Sequence, residues 1–145
     1  MKVADIMSRD VKVCSYFDSI FDAAKKMKKF DIGSLPVVDG NRLIGIITDR
    51  DLVIRGMAEQ LPLSTKVEQL MTTDVKTVLK NQGVEEVAEL MAEEQIRRVP
   101  VVEGETLIGI VSLGDLAVDN QTDEKAKIAL SEISEERTEG EQFFN

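Results

Sequence analysis

Apolar positions recur along this chain with two different periods, and the change of period marks the elements. Ile20, Ala23, Ala24, Met27 and Phe30 fall on one face of a 3.6-residue repeat, which predicts a helix buried along that stripe. Val84, Val87, Ala88 and Met91 repeat the pattern further on. After each helical stretch come two β-rich runs around a glycine, "SLPVVDGNRLIGIIT" and "RVPVVEGETLIGIVS", which predict β-hairpins. The runs "IGII" and "IGIV" do not alternate with polar residues, as expected of strands covered on both faces. Before each helix stand a short apolar turn ("VADIM", "VEQLM") and an extended piece ("DVKV", "DVKT"). After each hairpin a second helix is expected, from Asp49 to about Glu59 and from Leu113 to about Asn120. The order is β-α-β-β-α, twice.

The two halves are copies. Shifted by 64 positions, Val3–Leu52 aligns with Val67–Leu116 without a gap, and 18 of 50 positions are identical. A unit of this size is marginal alone, because its helices cover one face of a small sheet. Two copies pressed sheet to sheet bury what each leaves open. The predicted fold class is therefore α+β, sandwich-like, with pseudo-two-fold symmetry. The predicted organisation is repeat one over 1–60, a linker over 61–66 marked by Pro62, repeat two over 67–120, and an acidic C-terminal helix or tail over 121–145. From Asp119 onward eight acids face three bases, and Ala126, Ala129 and Ile133 suggest a helix from about Asp123 to Ile133.

Composition narrows the chemistry. The net charge of −9 opposes binding to a phosphate backbone, and 4% aromatics supply few stacking platforms, so nucleic acid is not an expected partner. The sequence has no histidine and one cysteine. Catalytic dyads and metal clusters have little to draw on, so neither an enzyme nor a metal site is expected. Cys14 ends an apolar run and is expected to be inert and buried. "MKVADIMSRD" lacks the apolar core of a signal peptide, and no window approaches the roughly 18 apolar residues of a membrane span, so a cytoplasmic protein away from membranes is expected.

The candidate chemistry sits where each hairpin gives way to its second helix. Thr48 and Asp51 in repeat one, and Ser112 and Asp115 in repeat two, have the Ser/Thr-x-x-Asp spacing of a capping box. The same geometry suits a ligand. Free N–H groups at a helix start and a hydroxyl favour a phosphate, a carboxylate one turn in accepts from vicinal ribose hydroxyls, and Gly45 and Gly109 allow a planar base close to the backbone. Both readings fit the spacing.

The pieces "VADIMSRDVKV", "IGSLPVVDGNRLIGIITDRDL", "VEQLMTTDVKTV" and "RRVPVVEGETLIGIVSLGDL" together resemble a cystathionine-β-synthase (CBS) domain pair, or Bateman module, over residues 1 to about 118. The family signature, Gly-two apolar-Thr/Ser-two variable-Asp, is complete at Gly45–Asp51 and at Gly109–Asp115. The resemblance implies a regulatory module that binds AMP, ADP, ATP or S-adenosyl ligands between the repeats, with no obligatory cofactor. It implies that Asp51 and Asp115 hold ribose while Thr48 and Ser112 approach phosphate. It also implies that basic residues before the central proline contact phosphate, which points to Arg97 and Arg98. Repeat one has Gly33 and Ser34 there, and carries Arg50 inside "TDRD". The two sites are thus expected to differ, the second holding polyphosphate more tightly.

CBS pairs commonly dimerise through their helices. Lys25, Lys26, Lys28 and Lys29 in repeat one oppose Glu85, Glu86, Glu89, Glu93 and Glu94 in repeat two, which suggests a head-to-tail homodimer that reports to an unknown protein partner. The alternative is a dimerisation or interaction scaffold with empty clefts, in which the Ser/Thr-Asp pairs are caps alone.

Overall fold

The computed structural model describes residues 1–117. The helix expected from Asp123 to Ile133 and the acidic tail lie outside the described residues. Those described form a mixed α+β fold with five α-helices and six strands: α1 (Val3–Ile6), β1 (Cys14–Ser15), α2 (Ile20–Phe30), β2 (Ser34–Asp39), β3 (Arg42–Thr48), α3 (Asp49–Asp51), β4 (Val78–Leu79), α4 (Val84–Glu94), β5 (Arg98–Glu103), β6 (Thr106–Ser112) and α5 (Leu113–Ala117). A π-helical stretch, Leu52–Met57, continues α3, and a single 3₁₀ turn covers Val67–Gln69. The strands β1 and β4 lie just beyond the expected "DVKV" and "DVKT" pieces.

The chain divides into two compact units, and their boundaries are not those of the sequence repeats. One unit holds Val11–Lys76 with Gly104–Leu107. The other holds Met1–Asp10, Thr77–Glu103 and the described residues from Ile108 on. The opening segment of each repeat has therefore changed places: residues 1–10 fold with the body of repeat two, and residues 67–76 with the body of repeat one.

In the repeat-one unit, β1 runs parallel to β2 and β2 antiparallel to β3. Ser34 lies opposite Thr48, and Asp39 opposite Arg42. The two-residue turn between β2 and β3 places Gly40 at φ +63°, a left-handed conformation that glycine adopts without steric cost. The exchanged segment is tied in at both ends. The Val67 N–H donates to Asp18 O at 2.9 Å, and Thr72 and Ile46 exchange two backbone hydrogen bonds of 2.9 Å. The core is Cys14, Ile20, Ala23, Met27, Leu35, Val37, Ile47, Val67 and Leu70. Thus α2 buries Ile20, Ala23 and Met27, whereas Ala24 and Phe30, expected on the same face, are exposed. The buried stripe is one residue wide per turn.

Ser19 starts α2 through a capping box: its hydroxyl accepts from Asp22 N–H at 3.1 Å, and Asp22 Oδ2 accepts from Ser19 N–H at 3.3 Å. Along β3, Gly45 and Ile47 are buried while Ile44 and Ile46 are half-buried. The apolar run therefore has one fully covered face and one partly covered face.

The repeat-two unit is built on the same plan. β4 runs parallel to β5, pairing Val78 with Val101, and β5 neighbours β6. Residues 1–10 are held by Val3 N–H to Gln82 O at 3.0 Å and by mutual hydrogen bonds of Ser8 and Ile110. All four expected helix residues, Val84, Val87, Ala88 and Met91, are buried, in a core with Val3, Val78, Val99, Val101, Val111, Leu113 and Leu116. Val3 and Val67, one at the head of each exchanged segment, are both fully buried.

Candidate functional site

Each signature segment sits at a strand-to-helix junction, and both junctions close as capping boxes. Thr48 N–H donates to Asp51 Oδ2 at 3.0 Å, and Asp51 N–H donates back to Thr48 Oγ1 at 3.1 Å. Ser112 N–H donates to Asp115 Oδ2 at 2.8 Å, and Asp115 N–H to Ser112 Oγ at 3.2 Å. The local rule that places these residue types at helix starts thus operates twice. Asp51 and Asp115 are half-buried, each with one oxygen committed to backbone.

The expectation of unpaired N–H groups for a phosphate is corrected in repeat one. Asp49 N–H donates to Gly33 O at 2.9 Å and Arg50 N–H to Asp49 Oδ1 at 2.8 Å. With Thr48 and Asp51 already paired, every amide from 48 to 51 has a protein acceptor. In repeat two Leu113 N–H donates to Arg97 O at 2.8 Å. Leu113 stands where repeat one has Asp49, so its side chain offers Gly114 N–H no acceptor.

The expected base slot at the signature glycines is also corrected. A Cβ on Gly45 would stand 2.6 Å from Met71 Sδ and 3.0 Å from Thr72 O. On Gly109 it would stand 2.7 Å from Met7 Sδ and 3.0 Å from Ser8 O. The exchanged segments occupy that space, and their close passage is what requires glycine. Sequence reasoning missed Met7 and Met71 as the reason, although both are identical between the repeats.

The remaining expected residues gather at the same two junctions. Ser34 lies opposite Thr48 at the start of β2, and Arg50 is exposed within α3. Arg97 and Arg98 are exposed at the start of β5, with Arg97 joined through its carbonyl to the residue after Ser112. One functional candidate was not expected. Arg55 Nε lies 3.8 Å from Asp51 Oδ1, and its Nη1 donates to Leu70 O at 2.9 Å. The four-residue spacing from Asp51 was the available signal.

The CBS-domain family model matches residues 3–57 and 67–118. The chain belongs to the CBS-domain family. CBS-domain pairs are regulatory modules. The chain is 46% identical over 146 residues to an uncharacterized protein, YlbB, of Bacillus subtilis (strain 168), covering 99% of each. Among solved structures it is similar to Hypoxic Response Protein I with two coordinated zinc ions, at 37% identity and TM-score 0.74, covering 81% of this chain and 98% of that one. It is similar as well to the CBS domain pair of protein MJ0100 in complex with 5′-methylthioadenosine and S-adenosyl-L-methionine. There the identity is 33% and the TM-score 0.70, covering 81% of this chain and 94% of that one. For a zinc site, this CBS protein has no histidine, and among the described residues no group of three His, Cys, Asp or Glu side chains could hold a metal ion. No helix among the described residues is long and apolar enough to cross a membrane.

Proposed function

We propose that this CBS pair is a cytoplasmic ligand sensor that binds adenosine-containing molecules at its two signature junctions and passes the state to a protein partner. One observation carries the reading: the same hydroxyl–carboxylate arrangement is built twice, with hydrogen bonds of 3.0 and 3.1 Å in repeat one and 2.8 and 3.2 Å in repeat two. Each carboxylate keeps its Oδ1 away from its capping bond, as an acceptor for ribose hydroxyls. The similarity to a CBS pair that holds 5′-methylthioadenosine and S-adenosyl-L-methionine supports the adenosyl class. AMP, ADP and ATP belong to the same class.

The two sites differ in the charge they offer. Asp49 places its own carboxylate on the first turn of α3, which disfavours a phosphate there. Repeat two replaces Asp49 with Leu113, and Gly33 and Ser34 with Arg97 and Arg98. Arginine suits phosphate as a fixed, forked donor set. Repeat two is accordingly the phosphate-preferring site, and repeat one favours ligands with less negative charge at that end.

A homodimer completes the proposal. The exposed lysines of α2 and the exposed glutamates of α4 favour a head-to-tail pairing. Cross-links that joined only like repeats would reject that orientation.

The scaffold reading has its own support, because each Ser/Thr–Asp pair serves as a helix cap, and Phe17, Phe21, Val53, Ile54, Met57 and Leu63 expose apolar surface in the repeat-one unit. A thermal-shift panel of AMP, ADP, ATP, S-adenosylmethionine, NAD and GTP separates the two readings. It is run on the wild type and on Asp51→Ala and Asp115→Ala. A ligand at a hundred times its Kd stabilises by about 2.7 kcal/mol, or about 5–10 °C here. A shift lost in one or both variants supports the sensor. No shift with any ligand leaves the scaffold.

A further inference from the structure

Arg55 joins two parts of the repeat-one unit that the sequence holds apart. Its Nη1 donates to Leu70 O at 2.9 Å, and its Nε lies 3.8 Å from Asp51 Oδ1. Leu70 is a core residue, and the next two residues are the ones that pass beneath Gly45. Thr72 there exchanges two hydrogen bonds with Ile46 of β3.

The π-helical stretch sets this geometry. Its i→i+5 bonds include Ala58 N–H to Val53 O at 2.8 Å. Gly56 docks against Leu70, a Cβ there standing 3.1 Å from Leu70 Cδ2. Arg55, one residue earlier, is thereby carried to the Leu70 carbonyl. π-helical turns within α-helices recur at functional sites for this kind of local re-aiming.

We propose that Arg55 is a positioning residue that couples the Asp51 carboxylate to the exchanged segment at residues 70–72. The proposal rests on the reading of Asp51 as a ligand carboxylate. Asp51 Oδ2 is held by Thr48 N–H, so Oδ1 is the oxygen that both Arg55 and a ribose hydroxyl address. A ligand hydroxyl on Oδ1 changes the pull of the carboxylate on Arg55. Arg55 hands that change to the Leu70 carbonyl, and so to the bonds between Thr72 and β3. The half-exposed ion pair contributes little stability by itself. Its value lies in linking a ligand-facing group to buried backbone. At the matching position, 64 residues on, the sequence of repeat two has an acid, Asp119, where repeat one has this arginine.

The test is amide hydrogen exchange at Thr72 and Ile46 in the full chain. Wild type, Arg55→Gln, Arg55→Lys, Asp51→Asn and the Arg55→Gln/Asp51→Asn double variant are compared. Each is measured alone and with 1 mM AMP or 1 mM S-adenosylmethionine, and the Val37 amide serves as the control for global opening. With a probe that protects the wild type, Thr72 exchange slows several-fold, and that slowing vanishes in Arg55→Gln while binding at the repeat-one site, read by titration calorimetry as the part lost in Asp51→Asn, persists. Arg55→Lys, which keeps the charge near Asp51 but loses the forked reach to Leu70 O, retains part of it. Equal slowing in wild type and Arg55→Gln overturns the proposal.

If neither probe binds the wild type, the ligand-free arm decides the coupling. Faster Thr72 exchange in both single variants, with no further increase in the double, upholds it. Unchanged exchange, or fully additive effects, overturns it.

Discussion

Gly45 and Met71 touch where a side chain on Gly45 has no room: a Cβ there would lie 2.6 Å from Met71 Sδ. The same contact is repeated by Gly109 and Met7 at 2.7 Å. These two contacts are how each body accepts the opening segment of the other repeat. The signature glycine is thus a packing residue first.

Gly45→Ala and Gly109→Ala are therefore expected to destabilise by about 1–3 kcal/mol, the usual range for overpacking. The methionine sulfur can swing away, but the carbonyls of Thr72 and Ser8, 3.0 Å from the added carbon, belong to backbone and resist. Urea unfolding of each variant measures the loss. Met71→Ala combined with Gly45→Ala should recover only part of it.

Gly40→Ala should lose stability for a different reason. Nothing lies within 4 Å of a Cβ there, but φ is +63°. Left-handed backbone costs an L-residue about 1–2 kcal/mol. Gly40→Asn, which tolerates that conformation better, should lose less in the same urea experiment.

Removing a signature hydroxyl should cost stability even without ligand. Thr48→Ala and Ser112→Ala each delete an N-cap acceptor, worth about 0.5–2 kcal/mol. Thermal unfolding without ligand checks this, and equal stability to wild type would show that the caps contribute nothing.

Cys14 makes alkaline pH informative. Burial foremost, then the nearby Asp18 charge, pushes its thiol from 9.0 up to about 12. The native thiol should resist thiol reagents at pH 8 and react on unfolding. The folded pKa is raised, so the stabilising contribution is complete below pH 9.0 and is lost as pH rises toward about 12. The stability difference between wild type and Cys14→Val, followed across that window, isolates it.

Asp22 makes the acid side informative. Hydrogen bonds from Ser19, the backbone N–H first and then the side chain, hold its carboxyl below the ordinary 3.8. The sign is opposite to that of Cys14: the contribution is present above 3.8 and is lost as pH falls through the lower folded value. Asp22→Ala should flatten that part of the acid unfolding curve, read as helix signal against pH.

Much of the local structure was legible because local rules govern it. The Ser/Thr-x-x-Asp spacing predicted both caps, and the glycines of the hairpins marked turns whose φ values are +63° and +64°. Val84, Val87, Ala88 and Met91 read correctly as a buried face. Ala24 and Phe30 did not, because a 3.6-residue period gives the centre of a stripe, and only the neighbouring packing sets its width. The phosphate-facing amides of repeat one were misread, since their acceptors, Gly33 O and the Asp49 carboxylate, come from a strand entry and a first-turn side chain whose placement no spacing rule gives.

By itself the sequence determined the element order, the 64-residue duplication, the family and the two signature junctions, all of which depend on short-range patterns repeated along the chain. Only the tertiary structure decided that the opening segments trade places between the repeats. Val3 and Val67 are identical, as are Met7 and Met71, so the pattern fits either body equally well. What chooses is contact between distant residues: Val67 N–H with Asp18 O, Met71 against Gly45, Val3 N–H with Gln82 O and Met7 against Gly109.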